Sequence, residues 1–551
     1  MSGLPARVLR AITARDIPLV AALAAAWGTY LHWPALINPL RFDNNWRQAP
    51  QWISPDRQFF HPDDAMLRFA EFGTSQFADL LYQTLALTGH DIVWGKITAI
   101  LFFSAYVTVA LVLGRAMGGR LTGWTAAILL MFFPNVFREF GGGFMDGLSA
   151  SLLGLTILVI VKGKWGWSIP LLALQSVQYP MVAIHSGMIY LVDAVVHDRR
   201  RLFELAEWRR KYVYLAAGAV VMLGIIASKY LGSHEFGELA TRATMQDLPE
   251  YRPGARSIVL PVPSLWSYVE ARLFDPFHLL LFLVAYVHLA KSTFRLPRGL
   301  VGLLLGSMVM YVIADIFLFR FYFPNRYLHF SLPLFMALAS GYWVSRVVDR
   351  VRSRPSAEGA HSVRRYAGLA AATVVLLTVG YRDYDGELRR GLSTVEFDDE
   401  ELYAWVRQLP DRPMIAVHPL RASDIPVITG RSVFIMEELS QSYWSEHWAL
   451  VEERTKAFFT AYYATDPDVI IRFIDDYGID YWIIQPAHFL PTYLEGRIRF
   501  VANPFDTWIR QELQPTPEAL LAGLDESTVS FSDGTHYGIS SAALIAWLRT
   551  Q

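Results

Sequence analysis

Long apolar runs recur through the first 381 residues, near 17–37, 93–113, 122–137, 146–162, 212–232, 274–290, 299–319, 328–345 and 366–381. No other feature restricts the fold as much. About 20 consecutive apolar residues form a helix long enough to cross the hydrocarbon of a bilayer, with every backbone polar group satisfied inside the helix. The run Trp167–Val196 is too long for one helix, and "SVQYP" interrupts it. Proline removes a ladder hydrogen bond, so two short helices meeting at Gln178–Pro180 are expected. That makes eleven crossings. A chain with 53% hydrophobic and only 18% charged residues is a polytopic membrane protein by composition as well.

Lysine and arginine then orient the helices. Arg7, Arg10 and Arg15 precede the first run, Arg115 and Arg120 follow the second, and Lys162 and Lys164 follow the fourth. Further basic clusters fill 197–211, 291–298 and the segment from 346. With eleven crossings all six segments fall on one side, which the positive-inside rule makes cytoplasmic. The N-terminus is then expected inside, on a retained first helix with no small-x-small cleavage site, and everything after about residue 382 outside. A net charge of −1 gives no field to recruit nucleic acid, and the lack of cysteine excludes disulfides, thiolate metal sites and a cysteine nucleophile.

The same arithmetic assigns the outer face. The opening loop 38–92, the "FREFGGGFMDG" turn, the "QYP" apex, the 233–272 loop and "RFYFPNRY" all fall there. Polar groups of both signs meet at one membrane surface from separate places, which an anchor would not need. From about 395 the composition becomes that of a soluble α/β domain of about 155 residues, enough for one core. "DDEELYAWVRQL" reads as an amphipathic helix, and "DPDVIIRFIDDYG" as a helix closed by glycine. "MIAVHP", "SVFIM" and "YWIIQ" read as short buried strands of a mostly parallel sheet. It contains no P-loop, GxSxG, HExxH or GxGxxG pattern.

Asp43, in "FDNNW" just past the first span, can act as a general base on an acceptor hydroxyl or help to hold a divalent cation, Mg or Mn. A helix cap is its structural alternative. Asp63 and Asp64 in "HPDDAMLRF" can position the acceptor or a cation, or open a helix after proline. Arg326 in "FYFPNRYLHF" sits where a guanidinium suits a lipid-linked phosphate with bidentate hydrogen bonds, or where it simply snorkels. Lys229 and Arg138 can join it, and Arg47, Gln48, Tyr179 and Asn325 complete the substrate-binding set. His185 reads as a helix-packing histidine.

The pattern as a whole resembles the GT-C-type glycosyltransferases, polytopic membrane enzymes that use polyprenyl-phosphate-linked sugars. In that superfamily the first external loop carries the catalytic aspartate and helices parallel to the membrane. A later arginine-bearing loop contacts the lipid phosphate, and an exported soluble domain often follows. Here "DNNWRQAPQWISPDRQFFHPDD", the stretches 64–72 and 75–89, "PNRY" and the tail occupy those places. The resemblance is closest to a set of bacterial multipass proteins. It implies a transmembrane GT-C-like domain over 1–381 with the large loop 38–92, and an exported α/β domain over 382–551. It also implies a place in the bacterial cytoplasmic membrane, with lipid and a polyprenyl-phosphate sugar as partners. One departure stands out. A second acidic residue often accompanies the loop aspartate in such enzymes, whereas Asp43 is followed by Asn44 and Asn45.

Two readings follow. In the first, Asp43 takes the proton of an acceptor hydroxyl attacking the anomeric carbon, with inversion, while Arg326, Lys229 and Arg138 stabilise the departing phosphate. In the second, the chain is a non-catalytic membrane subunit binding a lipid or a partner protein through its outer loops and exported domain. Transport fits less well, because intramembrane charges are few and no inverted repeat of broken helices is visible.

Overall fold

The computed structural model describes residues 6–38, 40–52, 59–89, 91–133, 136–137, 140–141, 145–198, 205–230, 235–246, 248–256, 262–267, 296–352, 394–396 and 399–551. The spans expected at 274–290 and 366–381, and the boundary at 381/382, lie outside them. In chain order the longer helices are α1 Ala6–Ile37, α2 Ala65–Gly73, α3 Gln76–Ala86, α4 Asp91–Gly118, α5 Arg120–Met131, α6 Met145–Lys162, α7 Ser168–Gln178 and α8 Pro180–Asp198. They continue with α9 Leu205–Tyr230, α10 Leu300–Ile316, α11 Ser331–Arg352, α12 Glu400–Gln408, α13 Ser445–Tyr462, α14 Pro467–Tyr477 and α15 Ser541–Leu548. The strands are β1 Arg41–Asp43, β2 Thr394–Glu396, β3 Met414–Val417, β4 Ser432–Val433, β5 Tyr481–Ile484, β6 Phe531–Ser532 and β7 Tyr537–Ser540.

Among the described residues, four helical segments are long and apolar enough to cross a membrane: Arg15–Ile37, Ile92–Gly118, Pro180–His197 and Arg210–Ser228. Leu300–Ile316 is apolar but shorter. The chain divides into two units. The first comprises Met1–Asp43, Val93–Gly232 and Pro263–Thr394, and the second Asn44–Ile92, Ser233–Val262 and Val395–Gln551.

The first unit is a helical bundle whose helices approach through small residues. A side chain added at Gly123 would meet the Leu111 carbonyl at 2.6 Å, and one at Gly341 the Thr122 carbonyl at 2.6 Å. The backbones of α4, α5 and α11 can therefore touch, which is how helices associate where no hydrophobic force drives them together. Thr122 adds a hydroxyl hydrogen bond to Ser345 across the same seam, at 2.9 Å. The break expected at "SVQYP" is present: α7 ends at Gln178, Tyr179 is extended, and α8 starts at Pro180. Two buried carboxylates gather the basic segments. Asp16 receives Arg115 and Arg120, and the fully buried Asp193 receives Arg298 at 3.0 Å, His197 at 3.1 Å and Lys211 at 3.8 Å.

The second unit is built on a five-stranded sheet in the order β4-β3-β5-β7-β6. β3 runs parallel to β4 and to β5, while β7 pairs antiparallel with β5 and β6. The parallel reading therefore holds for the three strands that the sequence marks. The C-terminal hairpin adds an antiparallel edge, from the stretches "FS" and "YGIS", which are half-exposed and lack the apolar run that marks the other three strands. The helix α14 ends on Gly478 at φ 61°, where a left-handed residue closes the last turn. Residues 44–92 fold against the tail within this unit. Trp52 stacks on Tyr82 with ring centroids 4.1 Å apart, Trp46 stands edge-on to both, and all three are buried.

Candidate functional site

In the first unit three separated stretches meet around Arg326. The short helix Arg326–His329 presents the arginine, and Nη1 donates to Asp146 Oδ2 at 3.1 Å. Asp146 lies in the first turn of α6, where a carboxylate is also favoured by the helix dipole. Tyr179, at the α7–α8 break, and Tyr322 stand edge to face with ring centroids 6.3 Å apart, and both are within electrostatic reach of Asp146 and Arg326. Tyr322 adopts φ 65°. A left-handed tyrosine costs about 1–3 kcal/mol, and such outliers gather at functional sites. Close by, Ser149 donates to Gln178 Oε1 at 3.0 Å, so a second polar pair joins α6 to the helix break.

The arginine is one-third exposed and the aspartate less so, at 33% and 18% of their side chains. This group thus combines a solvent-reaching cation, one carboxylate and two phenols over an apolar floor of Met181, Val182, Met310, Ala314 and Tyr327. Such a group can bind an anion by displacing or sharing the carboxylate, with phenolic donors beside it. Asp146 was not singled out in the sequence. The signal is present in "FMDG", an acid opening an apolar run, but a lone acid in that place also reads as a helix N-terminal residue. Asn325 precedes Arg326 at the N-cap position and makes no side-chain cap hydrogen bond. His185, deeper in the bundle, is buried and bonded to Ser307 at 2.8 Å, as its packing role requires.

The other sequence-derived residues fall elsewhere. Arg138 and the side chains of Asp43 and Lys229 lie outside the described residues; the backbone of Asp43 ends β1. In the second unit Arg47 pairs with Asp424 and donates to Asn44 Oδ1 at 2.7 Å. Gln48 donates to Glu438 Oε1 at 2.8 Å, and Glu438 also pairs with Arg256 at 2.8 Å. Asp64 caps α2 by accepting from the Leu67 amide at 2.8 Å, while Asp63 is exposed. Burial raises the pKa of the Asp64 carboxyl, with the Leu67 amide opposing it. Among the described residues no cluster of three His, Asp or Glu is placed to hold a metal ion.

No protein-family model matches the sequence, and no curated protein matches it. Solved structures do. The archaeal oligosaccharyltransferase AglB from Archaeoglobus fulgidus, in complex with an inhibitory peptide and a dolichol-phosphate, superposes with a TM-score of 0.55 at 11% identity, covering 88% of this chain and 71% of that one. The Archaeoglobus fulgidus oligosaccharyltransferase complexed with zinc and sulfate gives 0.52 at 12% identity, over 86% and 69% of the two chains. Both are structures of a GT-C glycosyltransferase. The chain has a GT-C fold. ArnT from Cupriavidus metallidurans bound to undecaprenyl phosphate, another GT-C protein, covers 96% of this chain and 98% of its own at 14% identity and a TM-score of 0.49.

Proposed function

We propose that this GT-C chain is a membrane glycosyltransferase that moves a sugar from a polyprenyl-phosphate donor to an acceptor. The acceptor side faces the extracytoplasmic surface of a bacterial cytoplasmic membrane. The observation that carries the reading is the Arg326 group: a guanidinium held by Asp146 near two tyrosines, in a fold shared with a protein solved with dolichol-phosphate. Arg326 is the phosphate ligand, with Tyr179 and Tyr322 as hydroxyl donors to the phosphate oxygens. Asp43, whose backbone closes β1, is the general base that takes the acceptor proton as the hydroxyl attacks the anomeric carbon. The electron pair of the anomeric C–O bond leaves with the phosphate, whose charge the guanidinium stabilises. Lys229 and Arg138 assist Arg326 at the departing phosphate.

The test is sugar transfer from polyprenyl-phosphate donors by the purified protein in nanodiscs. Asp43→Asn should abolish turnover with donor binding retained, and Arg326→Ala should lower kcat/KM by about 100-fold, the size of one lost electrostatic donor. Addition of EDTA tests the divalent cation. No transfer with any donor tested would sink the reading.

A specific observation favours a second reading. Arg326 is ion-paired, Asp64 caps a helix, and Arg47 and Gln48 are committed to Asp424 and Glu438. Residues used this way suit a GT-C-like subunit that binds lipid or a partner protein without chemistry. That subunit would copurify with a partner and would lose stability, not donor affinity, on Arg326→Ala.

A further inference from the structure

The second unit holds a cleft that the transfer chemistry does not use. It has a volume of about 440 Å³ and is walled by the 249–253 segment, by α13 and by residues 503–512. That size lies within the roughly 300–1,000 Å³ of small-molecule sites. Trp508 lines it half-buried, and Phe505 beneath is buried against Trp448 with ring centroids 5.4 Å apart. The wall after Trp508 is a π-helical turn, Ile509–Leu513, which carries Gln511 and Glu512 to the cleft. π-turns are uncommon and concentrate at functional sites.

The charges decide the ligand class. Glu452 and Glu512 face Arg252 and Lys456, two acids against two bases. Lys456 is held by Glu452 at 2.6 Å and lies 5.9 Å from the Trp508 ring centre. A phosphate or a quaternary amine would meet one unfavourable sign for each favourable one. A neutral polyhydroxyl ring meets none. It can lay its C–H face on the indole, donate hydroxyl protons to the Glu512 carboxylate, and exchange hydrogen bonds with the Gln511 and Asn503 amides, which both donate and accept. A peptide would need a free strand edge or a long apolar groove, and the described walls are helical turns and loops.

We propose that this cleft is a binding subsite for an uncharged sugar unit of a glycan, with Trp508 as its platform. The inference stands apart from catalysis, since a protein without transferase activity would still bind there.

The experiment uses the full chain in lipid nanodiscs, because sugar-headed detergents would compete. N-acetylglucosamine and hexose tetrasaccharides are titrated with saturation-transfer NMR as the readout, beside short peptides as controls. At least one tetrasaccharide should bind saturably, and Trp508→Ala should weaken it about tenfold or more, the loss of one stacking contact. The exposed Glu512→Gln and Gln511→Ala should each weaken binding with melting temperature unchanged, which separates a lost ligand contact from a lost fold. Absence of saccharide binding, equal binding by Trp508→Ala, or saturable capture of the peptides instead would each overturn the proposal. Loss of transfer activity with binding intact would overturn only the transferase reading.

Discussion

At the residue scale the informative contrast is between Asp146 and Asp193. Both are carboxylates facing arginine in the first unit, but Asp193 is fully buried among Arg298, His197 and Lys211, whereas Asp146 and Arg326 both reach solvent. Removing one partner of a buried ionic group leaves charge without compensation. Asp193→Asn should therefore destabilise the protein by about 3 kcal/mol, read as a lower melting temperature in nanodiscs. Asp146→Asn should cost far less stability, because water screens the arginine it leaves. If Arg326 binds the donor phosphate, that variant should also bind donor more tightly, since the anion no longer competes with a carboxylate. The sequence made Arg326 visible through its aromatic neighbours and its place before a span. It left Asp146 ambiguous, because an acid opening an apolar run also reads as a helix N-terminal residue and nothing local names a partner 180 residues away.

The elements show where legibility comes from. The α7–α8 break was readable because proline acts on its own backbone, and so was the Gly478 terminus of α14. In the first loop α2 was readable from aspartate after proline, whereas α3 entered only through the resemblance, as the stretch 75–89. Asp64→Ala should cost about 1 kcal/mol, measured by hydrogen exchange of the α2 amides in the full chain. The hairpin β6–β7 is not marked in the sequence because its strands are half-exposed and carry serine and glycine instead of an apolar run, and its pairing with β5 is set by tertiary contact. Helix association in the first unit was equally silent in the apolar runs. It rests on glycines whose significance appears only when their neighbours are known. Gly341→Val places carbon where the Thr122 carbonyl stands, at 2.6 Å, and should cost about 1–3 kcal/mol or more, seen as loss of monodisperse protein on size exclusion.

For the whole molecule, the second unit carries a pH dependence. His418, His447 and His488 are buried there; burial holds His447 and His488 down at about 4 and lowers His418 as well. The unfolded chain takes up those protons near pH 6.5, so the stability they confer is full above about 6.5 and is lost as pH falls toward 4, roughly 3 kcal/mol for each of the two. Asp424 works in the opposite direction. Burial pushes it up to about 6 against the pull of Arg47 and Arg421, so its contribution is present in acid and lost as pH rises through 6. Burial raises the Asp64 and Glu437 carboxyls of this unit as well, so three carboxyls oppose three imidazoles, and the imidazoles, which lose stability from about pH 6.5 downward, act first. Amide exchange in the second unit should accelerate as pH falls from about 7 to 6, where the unfolded histidines take up protons ahead of the carboxyls, and His488→Gln should flatten the slope. The composition of this unit has one more consequence, in time rather than in space. Gln48 and Glu438 are 390 residues apart, and at roughly 5–20 residues per second the ribosome needs about 20–80 s to make the second after the first. Throughout that interval Trp46, Trp52 and the capped α2 exist without the tail they fold against. The opening loop is therefore a waiting segment during synthesis, the part of the nascent chain most in need of a holding chaperone and most open to proteases.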